Sequence, residues 1–183
     1  MYKVNIDSKN HLSILEPRHA KELYQVIDRS RENLGKWLSF PEKTNKVEDS
    51  VAFIEKSLIR LSENNGYWAG IWHNGSIAGS IGFLYIDWIA RKTEIGYWLG
   101  DSFTGKGLVT KAVKQFIDHS FNDLDLRKVE INVASKNLKS RVIPERFGFT
   151  QEGTIRNYEY VNGEYQDRVI YGLLKEEWKS TAI

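Results

Sequence analysis

Nine of the chain's 14 glycines and four of its six tryptophans fall in the 42 residues from 66 to 107. That quarter of the chain needs backbone freedom and large flat side chains together. Two apolar runs, Tyr67 to Trp72 and Ile77 to Ile86, flank Asn74-Gly75, the strongest short signal for a two-residue hairpin. A third run, Thr93 to Leu99, follows a turn at Ala90-Arg91-Lys92. Three consecutive strands with short connections make an antiparallel meander.

The pattern changes after Gly105. Leu108, Val109, Ala112, Val113, Phe116, Ile117 and Phe121 recur at helical spacing over about four turns. A strand follows, Lys128 to Ala134, with Val129, Ile131 and Val133 on one side, and then a short helix, about Leu138 to Phe147, with Pro144 inside it. The chain closes with Phe149 to Tyr160 and Tyr165 to Leu173, joined by a second hairpin turn at Asn162-Gly163. Because a helix separates the third and fourth middle strands, that pair is able to run parallel. Ahead of the meander, His11 to Leu15 alternates and Pro17 sits at a first helical position, followed by an apolar stripe of Leu23, Tyr24, Val26 and Ile27. A helix of about Val47 to Leu61 stops at Asn64-Asn65-Gly66. The expected fold class is α+β or mixed α/β: a central, mostly antiparallel sheet with one parallel strand pair, flanked by helices.

At about 150 residues per domain, a chain of 183 residues is a single domain, 1–183, and no repeat or linker divides it. Such a length buries a full core without disulfides or a structural metal. Cys is 0, which excludes a disulfide scaffold, a Cys-ligated zinc site and a cysteine nucleophile. Its absence fits a cytoplasmic location. Lys+Arg 26 against Asp+Glu 24 leaves a net charge of +2, with no basic stripe, so neither a nucleic-acid nor a membrane partner is expected. Met1 to Asn10 lacks the apolar core of a signal peptide, and no run approaches the roughly 18 apolar residues of a membrane span. His11, His19, His73 and His119 show no ligand spacing, so no metal site is expected.

The segment Gly100 to Gly107 joins a predicted strand to a predicted helix. Two glycines at a helix start let backbone N–H groups converge on an anion, and the helix dipole adds to the attraction. A phosphate or pyrophosphate site is the first reading; a plain glycine turn is the other. The segment nearly matches G-x-x-x-x-G-K-[ST], but Gly107 stands where the Mg²⁺-binding hydroxyl belongs. The dinucleotide pattern G-x-G-x-x-G fails at Thr110.

Glu94-Ile95-Gly96-Tyr97-Trp98-Leu99, followed by Gly105-Lys106-Gly107-Leu108-Val109-Thr110-Lys111-Ala112, resembles the acetyl-CoA-binding core of the GNAT acetyltransferases. More narrowly it is similar to the branch that acetylates the N-termini of ribosomal proteins. Asn137-Leu138-Lys139-Ser140, Phe147-Gly148-Phe149 and the closing strand from Tyr165 agree with that branch, so the resemblance spans about Leu12 to Trp178. It departs at Thr104 and Val109, where the family pattern has a long polar and a small residue.

The resemblance implies acetyl transfer from acetyl-CoA, as co-substrate, to a primary amine, and a sheet splayed at its parallel pair. The pyrophosphate is expected on Thr104, Gly105, Lys106, Gly107, Leu108, Val109 and Thr110, and the pantetheine arm along the backbone of Trp98 and Leu99, with Asn137 helping to hold it. Gly96 and Gly100 suit a bulge or splay in that strand. Glu94 is the expected general base and Ser140 the proton donor to the thiolate sulfur. Trp37, Phe40, Tyr158 and Tyr160 are available as walls for the acceptor, and the resemblance implies a protein N-terminal amine as that acceptor and a homodimer as the assembly. A small-molecule amine acceptor, or a non-catalytic acyl-CoA-binding module motivated by Pro144 and Val109, are the alternatives.

Overall fold

A computed structural model describes residues 3–179; the outermost residues of the expected domain lie outside the described residues. In chain order the elements are β1 (Lys3–Asn5), β2 (Asn10–Ile14), α1 (Ala20–Arg29), α2 (Arg31–Gly35), α3 (Phe40–Lys43), α4 (Val47–Ser62), β3 (Tyr67–His73), β4 (Ser76–Asp87) and β5 (Lys92–Leu99). After these come α5 (Leu108–Asp118), β6 (Lys128–Ala134), α6 (Leu138–Arg146), β7 (Thr150–Val161) and β8 (Glu164–Leu174).

The strands form one sheet in the order β1-β2-β3-β4-β5-β6-β8-β7. Every neighbouring pair is antiparallel except β5 and β6, which run parallel with α5 as the crossover. Both Asn-Gly turns carry positive φ at both positions, Asn74 at 50° with Gly75 at 81° and Asn162 at 52° with Gly163 at 79°. That twist matches the flanking strands. The second strand of the closing hairpin, not the first, docks on β6.

Alternation along β5 sends Ile95, Tyr97 and Leu99 to one face and Glu94, Gly96 and Trp98 to the other. On the first face α5 buries Leu108, Ala112, Val113, Phe116 and Ile117 against Ile81, Phe83, Ile95, Val129 and Ile131. On the second, α1 and α4 bury Leu23, Ile27 and Ile54 with Trp72, Ile77 and Trp98. These helices cover only the β2–β5 half of that face. The β6–β8 half stays open, and the cleft forms where cover ends.

Candidate active site

Strands β5 and β6 pair only at Lys92 with Lys128, Thr93 with Val129 and Glu94 with Glu130. Past that point β5 stays on β4 as far as Leu99, and β6 stays on β8 as far as Ala134. A wedge opens between them, lined by two strand edges whose backbone groups need partners. Gly96 is not the site of the irregularity: the bulge lies in β4 between Phe83 and Tyr85, opposite Ile95 and Glu94. A Cβ on Gly96 would stand 2.5 Å from Leu84 Cδ1, so the glycine makes room for that bulge. A cavity of about 1130 Å³ passes through the wedge and reaches both faces of the sheet.

One half of the cavity is built from main chain. Gly105 and Gly107 have φ of 76° and 70°, and no atom lies within 4 Å of where a Cβ would stand on either. Glycine is therefore needed there for conformation and not for space. The first helical bond of α5 runs from the Lys111 N–H to the Gly107 carbonyl at 3.1 Å. The amides of Leu108, Val109 and Thr110 thus have no intrahelical acceptor behind them and face the loop. The Leu108 side chain is buried and Val109 packs on the same core. The Thr110 hydroxyl accepts from Arg146 at 3.3 Å, and that of Thr104 donates to the Asp101 carbonyl at 3.0 Å. What this segment offers an anion is backbone N–H, which a valine at 109 supplies as well as a smaller residue.

Helix α6 closes the same half. The Asn137 Oδ1 accepts the Ser140 N–H at 3.2 Å as an N-cap, leaving its NH₂ for the cleft. Pro144 removes the N–H that would have reached the Ser140 carbonyl. The helix nevertheless runs from Leu138 to Arg146, because the Tyr97 hydroxyl donates to that carbonyl at 2.9 Å. Burial next to Tyr171 pushes the Tyr97 hydroxyl well above its ordinary value, which keeps it a donor. A second pin joins the Arg141 Nε to the Tyr171 hydroxyl at 2.9 Å, and that hydroxyl donates to Glu145 at 2.8 Å.

The other half is built from side chains. Half-buried Glu94 stands at the closed end of the wedge. Burial pushes its carboxyl above the ordinary value, against the pull of Arg168 and of the Asn132 amide. Its neighbour in register, Glu130, goes the other way. Burial pushes Glu130 up too, but hydrogen bonds from Lys128 and Tyr85, with Lys92 nearby, more than offset this and hold it below the usual range. Two adjacent carboxylates are thus driven apart, and the one facing the cavity is suited to taking a proton.

Around Glu94, Trp37 and Phe40 come from the α2–α3 region and Phe40 packs on Trp98 at 5.5 Å. Arg31 ties that region by donating to the carbonyls of Pro41 and Thr44. Opposite, the hairpin is irregular between Ile155 and Glu159, where Asn157 takes φ 48° and donates its N–H to Asp167 at 2.9 Å. This turns Tyr158 into the cleft, stacked under Arg168 at 4.0 Å, while Arg168 also pairs with Glu159 at 2.8 Å. Tyr160 does not join the wall: it is exposed and packs on Tyr165 at the hairpin tip.

The cavity therefore brings together Glu94, Trp98, Leu99, Thr104, Gly105, Gly107, Leu108, Val109, Thr110, Asn137 and Ser140. Lys106 lies between two of them in the loop but does not line the cavity. Sequence reasoning missed Tyr97, Asn132, Gln166 and Arg168, which read there as ordinary strand residues. Among the described residues, no group of three or more His, Cys, Asp or Glu is placed to hold a metal ion, and no helix is long and apolar enough to cross a membrane.

This geometry has close parallels in known proteins. The family model described as an acetyltransferase (GNAT) domain matches residues 11–150. YdaF of Bacillus subtilis (strain 168), which carries the provisional name ribosomal N-acetyltransferase, is 38% identical over 98% of both chains. The ribosomal-protein-serine acetyltransferase of Escherichia coli (strain K12) is 26% identical over 92% of this chain and 94% of its own. Among solved structures, the microcin C7 self-immunity acetyltransferase MccE in complex with acetyl-CoA and AMP superposes with a TM-score of 0.88. It is 32% identical, over 93% of this chain and 95% of that one. A splayed parallel pair, a glycine cradle at a helix start and a matching model over most of the chain give one conclusion: this chain belongs to the GNAT acetyltransferase family.

Proposed function

We propose that this chain transfers the acetyl group of acetyl-CoA to a primary amine, and that the amine is a protein N-terminus of the ribosomal-protein kind. The observation that carries the reading is one continuous cavity joining the glycine cradle, two unpaired strand edges and Glu94. The N-terminal acceptor rests on the two ribosomal-protein relatives.

The residues present suit the donor. The open positive-φ loop and the amides of Leu108 to Thr110 receive the pyrophosphate, as helix starts do. The edge of β5 at Trp98 and Leu99 exchanges hydrogen bonds with the amides of the pantetheine arm, and an N–H near Trp98 polarises the acetyl oxygen. Bound acetyl-CoA supplies an activated thioester carbonyl and a thiol leaving group. Glu94 removes one proton from the acceptor's ammonium, directly or through water. The amine nitrogen then bonds to the acetyl carbon as the C–S bond breaks; Ser140 gives its hydroxyl proton to the departing sulfur, and the nitrogen, now cationic, gives up its second proton through water to the Ser140 oxygen, leaving the neutral amide. Each group regains its resting state by proton exchange with solvent.

Pro144, the feature that motivates a non-catalytic module, is compensated by Tyr97 and leaves Ser140 on an intact helix. The test is mass spectrometry of N-terminal peptides and small amines, polyamines included, after incubation with acetyl-CoA. Peptides gaining one acetyl group at the α-amine are the expected result. Acetylated small amines alone would redirect the acceptor, and no CoA release across the whole panel would overturn the reading.

A further inference from the structure

One extra residue in β4 puts two consecutive side chains on the acceptor face. Across the bulge Phe83 pairs with Ile95 and Tyr85 with Glu94, so Leu84 is the added residue. Leu84 lines the cavity above Gly96, and Tyr85 stands level with Glu94 on the same face. The bulge is locked from α4 and from β5. Arg60 donates to the Phe83 carbonyl at 3.2 Å and to that of Leu84, and the buried Thr93 hydroxyl donates to the Tyr85 carbonyl at 2.5 Å.

The Tyr85 hydroxyl donates to Glu130 Oε2, on β6, at 3.0 Å. Glu130 is in register with Glu94, and Glu94 with Tyr85, so this contact spans two strand spacings, about 10 Å, across β5. The ring therefore crosses β5 beside Glu94. It crosses on the Lys92 side: the Lys92 Nζ lies 5.8 Å from the ring centroid, and Tyr85 takes no part in lining the cavity on the Gly96 side. Lys92 and Glu94, two apart on one face of β5, thus have an aromatic ring between them. Lys92 turns instead to Glu130 at 3.4 Å, where Lys128 joins it at 3.1 Å.

We propose that Tyr85 is a positioning residue for the reaction: its ring is a partition at the closed end of the wedge that keeps Lys92 on Glu130 and off Glu94. This rests on the reading of Glu94 as the general base given above. A carboxylate tied to an ammonium is a poor base, because the pair favours the ionised form. With the ring in place, burial acts on Glu94 most strongly and Lys92 least. Arg168, the other cation that bears on Glu94, is spent on Glu159 at 2.8 Å and stacked on Tyr158. Burial, together with the bond to Glu130, pushes the Tyr85 hydroxyl well above its ordinary value, so it stays a donor at neutral pH.

The test titrates the Glu94 carboxyl by carbon NMR, its signal identified by its loss in Glu94→Gln, and follows kcat/KM against pH in parallel. Tyr85→Leu keeps an apolar side chain that is too short to reach β6. It is expected to let Lys92 reach Glu94 and to move both the titration and the acid limb to lower pH. It is also expected to lower kcat about threefold to tenfold, with acetyl-CoA affinity unchanged. Tyr85→Phe keeps the ring and is expected to titrate close to the wild type. Adding Lys92→Met to Tyr85→Leu is expected to bring the titration back up, which a merely loosened fold would not do. The charged and titratable groups facing Glu94 are Lys92 on β5, Tyr85 on β4, Glu130 on β6 and Arg168 on β8, and only the first two are altered. Should Tyr85→Leu fold poorly, Tyr85→Met takes its place with the same expectations. An unmoved Glu94 titration in Tyr85→Leu, an equal shift in Tyr85→Phe, or a shift that survives Lys92→Met would each overturn the inference. A titration that ignores Tyr85 alongside normal turnover sinks this inference alone; the expected titrations without turnover on any amine sink the acetyl-transfer reading alone.

Discussion

The two halves of the cleft are made of different material. On the donor side the contacts come from main chain: positive-φ glycines at 105 and 107, the amides at the start of α5 and the bare edge of β5. On the acceptor side they come from side chains: Glu94, Asn132, Trp37, Phe40, Tyr158 and Arg168. Main-chain sites tolerate side-chain change as long as the backbone path holds, which is why Thr104 and Val109 depart from the family pattern without closing the loop. Side-chain sites change chemistry with each substitution. Such a molecule keeps its donor while its acceptor half is open to drift.

The largest expected break in that symmetry is Glu94→Gln. It should lower kcat by about 100-fold to 10,000-fold, the range for removing a general base, with acetyl-CoA affinity unaltered in calorimetry. Because folding raises this carboxyl, the wild-type rate should climb with pH through a limb above the ordinary carboxylate range. The stability effect has the opposite sign to the activity effect. A raised carboxyl stabilises the fold below its unfolded value and loses that contribution as pH rises through the folded one. Ionised Glu94 is thus a liability at neutral pH, and Glu94→Gln should melt at a higher temperature there but gain nothing under acid conditions.

Next in size is the bond that pins α6 to β5 within the donor half. Tyr97→Phe strands the Ser140 carbonyl, which Pro144 cannot serve, at a cost of about 1–3 kcal/mol in denaturant unfolding. Pro144→Ala in the same background restores an N–H and should recover part of that loss. Independent, additive effects of the two substitutions would show that the hydroxyl does not stand in for the missing amide.

Gly107→Val attacks the main chain itself. Forcing a side chain into the left-handed region costs about 1–2 kcal/mol, so acetyl-CoA affinity should fall about fivefold to thirtyfold while the amine KM at saturating donor stays put. Lys106→Ala is expected to do least, about 0.5 kcal/mol or below, and to vanish at high salt, because amides and not the exposed lysine hold the anion. A large effect from Lys106→Ala would erase the contrast between the halves.

The same contrast explains what could be read before folding. The meander, the glycine cradle, α5, β6, α6 and the closing hairpin carry local signals: Asn-Gly turns, paired glycines and a period of 3.6 or of 2. The parallel pair followed from the crossover helix. Missing from that reading were β1, a three-residue polar edge, and the short helices α2 and α3, which bury only Leu34 and Pro41. Such short pieces have no period to detect; tertiary contacts hold them, such as the bonds of Arg31 to the Pro41 and Thr44 carbonyls. Asn132 was invisible for another reason. Alternating with Val129, Ile131 and Val133 it looks like a solvent-facing strand residue, and only the wedge puts it in the lining of the cavity. Tyr97 and Pro144 lie far apart in sequence, and no spacing rule connects a missing amide at one to a hydroxyl at the other.

The three-pair contact between β5 and β6 has a consequence for assembly as well as for binding. Strands β1 to β5 form one contiguous block of antiparallel neighbours, complete by residue 99, while β6, β8 and β7 form a second block that begins at residue 128. The hairpin pairings β1–β2, β3–β4, β4–β5 and β7–β8 close short loops, whereas β2–β3, β5–β6 and β6–β8 join distant stretches of chain. Of those three distant ladders the parallel one is the shortest, so the two blocks are held to each other by less pairing than holds either together. The cleft is therefore the seam where two blocks of one sheet meet edge to edge and are left unsewn.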